Sequence, residues 1–339
     1  MTDPVAQAKR VAEMDASDPA RVTTDILAGD RPMVLRGLAG AWPSVAVGRQ
    51  GPAATAAYLR RFDSGRPMGI FAGPPSIGGR FFYRDDMQGF NFDRGQVLLG
   101  PLLDALLAEA DSPTPPALYA GANAAPDHFP GWMQDNPLPL AIPAATPRLW
   151  LGNATRVSTH YDMSANIAVV VAGRRRFAIF PPDQVGNLYV GPLETTMAGQ
   201  PSSMVDLEHP DLDRYPQFAA ALATMQVAEL EPGDALFMPP LWWHDVRASG
   251  PLNVLVNYWW GEREGGSAFP ALIHALLTVR DLPPAERQAV KAWFDHYVFG
   301  DDPAAAGAHL PPHARGILGP PTLERTGMIQ GFLKRTFGG

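Results

Sequence analysis

Between residues 159 and 182 the chain reads THYDMSANIAVVVAGRRRFAIFPP, with His160 and Asp162 two positions apart and three arginines following an apolar run. On a strand, residues i and i+2 face the same way. His160 and Asp162 would then point together into whatever the strand encloses, with Tyr161 turned out. One imidazole and one carboxylate are two of the three ligands of the 2-His-1-carboxylate facial arrangement, which holds Fe(II) and leaves coordination positions open. The chain has eight histidines and no cysteine, so a strong metal site must be built from His and carboxylate. His128 and His209 fall in expected loops, His274 and His296 on expected helices, and His309 and His313 in a Pro-rich tail. All six are places where histidine ordinarily serves the surface or packing. His244 differs, because LEPGDALFMPPLWWHDV places it on the strand after a Pro-Gly-Asp hairpin and beside two tryptophans. A His-x-Asp pair alone is a weak signal; a second strand histidine downstream strengthens it.

The elements that must position these residues are short β runs. From about 117 to 261, PRLWLGN, STHYDMSANIAVVVAG, RFAIFPP, QVAELEPGDALFMPP, WWHDVRAS and NVLVNYWW are separated by Gly, Pro and Asp signals. Several are apolar on both faces, as in a closed or two-layered β structure. A long insertion, DQVGNLYVGPLETTMAGQPSSMVDLEHPDLDRYPQF, interrupts the series, and loops of that length are usually functional. Upstream, residues 1 to about 30 read as a short helix and a connector. DRPMVLRGLAGAWPSV reads as a strand, a glycine turn and a Trp-Pro corner, RFFYRDDMQGFNF as a hairpin, and QVLLGPLLDALLAEADS as a helix. Downstream, FPALIHALLTVRDL aligns Leu272, Leu276 and Val279, and PPAERQAVKAWFDHYVFG aligns Val290, Phe294 and Tyr297. These two helices have apolar faces that need a partner. The expected division is 1–262 for the site-bearing domain and 263–339 for a helical region.

Bulk properties narrow the class. At 46% hydrophobic and 18% charged, 339 residues can bury a sizeable core. A net charge of −7 argues against general nucleic-acid or anionic-membrane binding. No apolar run approaches a membrane span, the N-terminal stretch is polar, and a cysteine-free chain fits a reducing compartment, so a cytoplasmic protein is expected. The 36 prolines, many between short apolar runs, favour a loop-rich β architecture.

Taken together, THYDMSANIAVVVAGRRRFAIFPPDQVGNLYVGP, MVDLEHPDLDRYPQF, ELEPGDALFMPPLWWHDV and NVLVNYWW closely resemble the cupin-like JmjC hydroxylases, the branch that includes asparaginyl hydroxylases. The likeness runs from about 117 to 261 and more weakly over 31–95. It implies a mainly β fold, a double-stranded β-helix or jelly roll with flanking N-terminal helices and a C-terminal helical appendage. It further implies Fe(II) held by His160, Asp162 and His244, with 2-oxoglutarate as co-substrate. Tyr119, Asn166 and Asn257 match positions lining the co-substrate or metal pocket, and Trp259, which shares parity with Asn257, would face inward beside them. The distal carboxylate of the co-substrate would meet Arg175, where the family usually has lysine. Arginine grips a carboxylate with two parallel hydrogen bonds. Arg174 and Arg176 read as parts of a solvated turn. A second departure is Val157, three residues before His160, where relatives often carry a hydroxyl. Thr155 or Ser158 would compensate only through a strand bulge.

The resemblance implies an oxygenase hydroxylating an unactivated C–H, with a protein side chain as substrate and a homodimer paired through the C-terminal helices. The same chemistry on a small metabolite, a non-oxygenase metal-binding cupin, and a pure interaction module are the alternatives. Lysine demethylation is less favoured, since no chromatin-reader module or zinc cluster accompanies the domain. Trp242, Trp243, Trp259 and Trp260 read as core by default, with Trp259 also a candidate wall of the metal pocket. Tyr189 is open between substrate contact and loop packing, while Asp206 and Asp211 read as turn caps.

Overall fold

Short apolar runs punctuated by Gly and Pro become strands in the computed structural model, which describes residues 4–142, 145–261 and 266–337. In chain order they are β1 (Lys9–Arg10), β2 (Ala12–Asp15), β3 (Met33–Arg36), β4 (Met68–Gly73), β5 (Arg80–Phe81), β6 (Asp93–Val97) and β7 (Ala117–Ala124). Next come β8 (Thr146–Gly152), β9 (Arg156–Tyr161), β10 (Ala165–Phe180), β11 (Gln226–Leu230), β12 (Ala235–Met238) and β13 (Trp243–Trp260). One path of pairing runs β2-β3-β12-β10-β13-β8-β7-β4-β6, while β1-β11 joins β10 and β5-β9 joins β13.

Two long strands make the jelly roll. The first half of β10 pairs with β12 and its second half with β11. Likewise β13 pairs first with β9 and then with β8. Each long strand therefore serves both layers and must bend between them. The bend in β10 falls where its register against β13 shifts, between Val170 and Arg174. Gly173 there has φ +74°, and a Cβ at this position would lie 2.1 Å from the Asn253 side-chain oxygen, so only glycine fits.

Both faces of these strands are covered, which explains why they read as apolar throughout. Ala168, Val170, Phe177, Ile179, Leu236, Val246 and Leu255 pack inside the barrel. Outside the first layer, Ile167, Val169, Val171, Val254 and Val256 meet Val45, Leu59, Leu102 and Leu103 from the helices Pro43–Gly48, Pro52–Arg60 and Leu99–Ala108. Outside the second layer, Ala178, Phe180, Val227 and Trp243 meet Leu188, Val205, Leu207 and Phe218 of the long insertion.

Several local readings are corrected. Residues 9–15 are not helical: β1 and β2 pair in parallel with β11 and β3, and Val11 enters the barrel core. Ladder hydrogen bonds offered by an existing sheet edge outweigh the modest helix propensity of KRVAEMD. The RRR run is no turn, since it continues β10 past the bend. WWHDVRAS and NVLVNYWW are one strand, and His244 lies at its start, one strand beyond the Pro-Gly-Asp hairpin. The 80–92 hairpin is reduced to β5 and a Tyr83–Phe90 bridge, and the polar strand β6 at the sheet edge has no apolar pattern to betray it.

The chain forms two units, 1–261 and 262–339; the boundary expected at 262/263 lies outside the described residues. The second unit holds the two anticipated helices, Phe269–Thr278 and Pro284–Tyr297, and a third, Leu323–Phe337. Among its described residues only Ala306 and Gly307 are buried. Leu277, Trp293, Phe299 and Leu323 are at least 65% exposed.

Candidate metal centre

His160 and His244 are cross-strand partners on β9 and β13, with ring centroids 4.3 Å apart. Each ring's Nδ1 lies 3.0 Å from a backbone carbonyl, that of Ser158 for His160 and of Trp242 for His244. A carbonyl accepts only, so Nδ1 carries the proton and Nε2 is left as a free donor pair. Burial, reinforced by the neighbouring His160, pulls the His244 pKa down and favours the neutral imidazole a metal requires. Asp162 follows β9 in the turn into β10. Its Oδ2 accepts hydrogen bonds from Asn166 Nδ2 at 3.0 Å and Trp259 Nε1 at 3.2 Å, which fixes the carboxylate plane. One ligand atom from each of His160, Asp162 and His244 lies within 4.8 Å of the others, a spacing suited to a single cation. Two imidazoles with tethered Nδ1 groups and one oriented carboxylate are a donor set that fits Fe(II).

The register of β9 against β13 places one extra residue on β9, because Val157 faces Val246 and His160 faces His244. This bulge turns both Val157 and His160 inward, although they differ in parity. Ser158 is turned outward, where its hydroxyl accepts from Arg80 Nε at 3.3 Å. Asn166 arrives beside Asp162 through the turn between β9 and β10 rather than along one strand.

Arg175 lies on the same inward row of β10 as Phe177 and Ile179 and is 2% exposed. Its Nε and Nη2, the side-on fork of the guanidinium, have no hydrogen-bond partner. Burial pulls its pKa down, offset in part by Tyr119, whose side chain hydrogen-bonds to it. Tyr119 in turn has its pKa raised by burial and is stacked against Trp150 at 5.6 Å and Phe81 at 6.1 Å. Asn257 Nδ2 donates to Asn166 Oδ1 at 3.4 Å, linking the inner wall to the Asp162 network. A buried guanidinium fork without a partner is expensive unless a ligand fills it. A carboxylate fits it.

All eight residues singled out in the sequence, His160, Asp162, His244, Tyr119, Asn166, Arg175, Asn257 and Trp259, therefore converge on the inner face of one barrel. Missed were Trp150, packed between Tyr119 and Trp259, and Met197 of the insertion, which joins the Phe81–Tyr119 cluster. Trp150 was accessible, since it alternates correctly with Gly152 in PRLWLGN. No local pattern marks Met197; it is held by Tyr83, whose hydroxyl donates to Thr195 O at 2.5 Å, and by Arg94, which donates to Met197 O at 2.8 Å.

The other candidates do structural work. Tyr189 packs on Tyr215 at 5.0 Å and accepts from Gln217 N, favouring loop packing over substrate contact. Asp211 caps a turn through Arg214 N. Asp206 does more than cap, because with Glu208 it binds Arg80, Arg156, Arg176 and Arg247 and clamps the insertion to β5, β9, β10 and β13. Arg176 is thus an ion-pair partner and not part of a solvated turn, whereas Arg174 is exposed and pairs with Glu231.

Residues 19–265 match the family model of the cupin-like domain, and the chain belongs to that family. Its cupin-like fold is of the JmjC type. Among curated proteins it is 39% identical over 112 residues to the lysine-specific demethylase JMJ31 of Arabidopsis thaliana, covering 33% of this chain and 20% of that protein. It is 36% identical over 102 residues to tRNA wybutosine-synthesizing protein 5 of Gallus gallus, covering 30% and 29%. To HSPB1-associated protein 1 of Rattus norvegicus it is 35% identical over 116 residues, covering 33% and 23%. The matches span between 20% and 29% of these relatives' lengths.

Proposed function

We propose that the chain is an Fe(II)- and 2-oxoglutarate-dependent oxygenase that hydroxylates an unactivated C–H on a protein side chain. The observation carrying this reading is the open fork of Arg175, buried in the barrel whose mouth gathers His160, Asp162 and His244. Fe(II) at those three residues would, with 2-oxoglutarate and O₂, supply the oxidation that places a hydroxyl on a substrate carbon and releases succinate and CO₂. His160 and His244, with Nδ1 tethered to backbone carbonyls, offer Nε2 to a metal, and Asp162 offers a carboxylate oxygen. Asn166 and Trp259 hold that carboxylate still, so its orientation costs nothing when a metal arrives. Arg175 receives the distal carboxylate of the co-substrate, Tyr119 positions the guanidinium, and Asn257 and Trp259 wall the space between.

A protein substrate is favoured over RNA by the net charge of −7, although one relative is named for a tRNA product. No helix among the described residues is long and apolar enough to cross a membrane. A cytoplasmic setting and pairing of two copies through the C-terminal helices complete the proposal.

Succinate release by the full chain given Fe(II), 2-oxoglutarate and O₂ tests the reading. Turnover that rises with peptide substrates and vanishes in Asp162→Ala is expected. Turnover coupled only to RNA or a small metabolite would overturn the protein substrate while leaving the oxygenase. No succinate together with no 2-oxoglutarate binding would overturn both.

A further inference from the structure

Arg148 stands at the open end of the barrel with no task in the metal centre or the co-substrate pocket. Residues 146, 148 and 150 of β8 alternate onto one face, and Trp150 shows which face that is, because it packs inside the barrel. The register of β8 against β13 sets Trp150 opposite Leu255, Arg148 opposite Asn257 and Thr146 opposite Trp259. Asn257 and Trp259 belong to the network around Asp162. Directly opposed side chains start about 5 Å apart and diagonal ones about 7–8 Å apart, so Arg148 rises beside the metal centre. Its guanidinium is exposed and, unlike those of Arg156, Arg176 and Arg247, meets no carboxylate among the described residues. Its hydrogen bond runs from Nη1 to the carbonyl of Ala122, at 3.1 Å. That carbonyl is presented by a bulge. β7 carries one extra residue between Ala120 and Asn123, and Ala122 there has φ +54°, in the left-handed region that a Cβ disfavours. The same bulge puts Gly121 beneath the Trp150 ring, where a Cβ would come within 2.5 Å of Cζ3. A strained backbone thus steers an unpaired cation to one place at the mouth.

We infer that Arg148 is a specificity-determining residue that binds a carboxylate of the protein substrate, which makes the substrate an acidic segment. This rests on the oxygenase reading above. The guanidinium leans from β8 toward β7, away from β13 and its metal ligand. The carboxylate it takes therefore belongs to a neighbour of the hydroxylated residue and not to that residue itself. An extended peptide rises about 3.3 Å per residue, so the 7–8 Å diagonal corresponds to roughly two residues along the substrate. The co-substrate has no need of Arg148, because its distal carboxylate falls to Arg175 deep in the barrel. RNA is disfavoured, since phosphate recognition gathers several cations on one face and this chain carries a net charge of −7. One cation held by one carbonyl suits a single carboxylate.

The test gives the full chain Fe(II), 2-oxoglutarate, O₂ and three pools of degenerate peptides. The pools carry Glu, Gln or Lys at the second position on either side of a degenerate centre, and mass spectrometry reads the gain of one oxygen. Wild type should use the Glu pool about tenfold or more over the Lys pool, the usual worth of a hydrogen bond between charged groups. Arg148→Gln should lose that preference, and Arg148→Glu should reverse it toward Lys, a swap that no purely structural arginine would produce. Because the side chain is exposed, both variants should melt with the wild type. Equal use of the three pools by wild type, or an unchanged preference for Glu in Arg148→Glu, would overturn the assignment and leave a protein hydroxylase. No product from any pool, whether or not an RNA oligonucleotide is hydroxylated instead, would overturn the acidic substrate, while 2-oxoglutarate binding would keep the oxygenase. Failure of the wild type to bind 2-oxoglutarate at all would overturn both.

Discussion

Trp259 shapes the candidate metal centre without offering it a ligand. Its indole N–H holds Asp162 Oδ2, and a carboxylate freed from that bond would have to be reoriented by the metal itself. Trp259→Phe should keep the packing against Trp150 yet lower metal affinity roughly 10- to 100-fold, as measured by competition with a chromophoric chelator. Arg175 predicts the opposite pairing of effects. Its charge is buried with an open fork, so Arg175→Met should raise the melting temperature of the ligand-free protein while abolishing 2-oxoglutarate binding. The clustering of His160, Asp162 and His244 was legible from the His-x-Asp spacing, a second strand histidine downstream and the absence of cysteine. The inward turn of both Val157 and His160 was not legible, because register against β13 is a property of two segments far apart in sequence.

At the level of elements, the barrel is held by two long bent strands and by an insertion riveted to their outer face. Asp206 is pushed up by its own burial, but Arg80 and Arg156 outweigh this and hold its pKa below the ordinary carboxylate range. A depressed folded-state pKa contributes stability above the unfolded value, and that contribution is lost as pH falls through the folded one. Acid should therefore release the 205–209 segment below about pH 4. Asp206→Asn should cost roughly 2 kcal/mol at neutral pH and flatten this acid dependence, followed by amide exchange across the segment. Nearby Asp245 is pushed up to about 7 by burial, which Arg156, Arg80 and Arg176 only partly offset. Most strands were legible as apolar runs between Gly and Pro. Hidden were β1, β2 and β6, short and polar strands that exist because a neighbouring edge offers hydrogen bonds, not because their own sequence prefers extension, and the apolar β4 also went unread.

For the whole molecule, the C-terminal unit buries little of itself among its described residues. Its first two helices leave Leu272, Leu277, Trp293 and Phe294 exposed, as is Phe299 just beyond the second, far more apolar surface than so small a unit normally shows to water. A second copy is the proposed cover. Light scattering should give twice the chain mass for the full protein and the monomer mass after Trp293→Glu; a monomeric wild type would contradict the pairing. The amphipathic spacing of the first two helices was readable, while the third was obscured by the Gly/Pro-rich segment before it. The proposed function turns on one cation and one carboxylate meeting in one barrel. Anaerobic titration of the full chain with Fe(II) and 2-oxoglutarate measures this directly. The account predicts a metal-to-ligand charge-transfer absorption band saturating at one equivalent of each, absent in His160→Ala and in Arg175→Met; no band in the wild type, or an undiminished band in both variants, would contradict it.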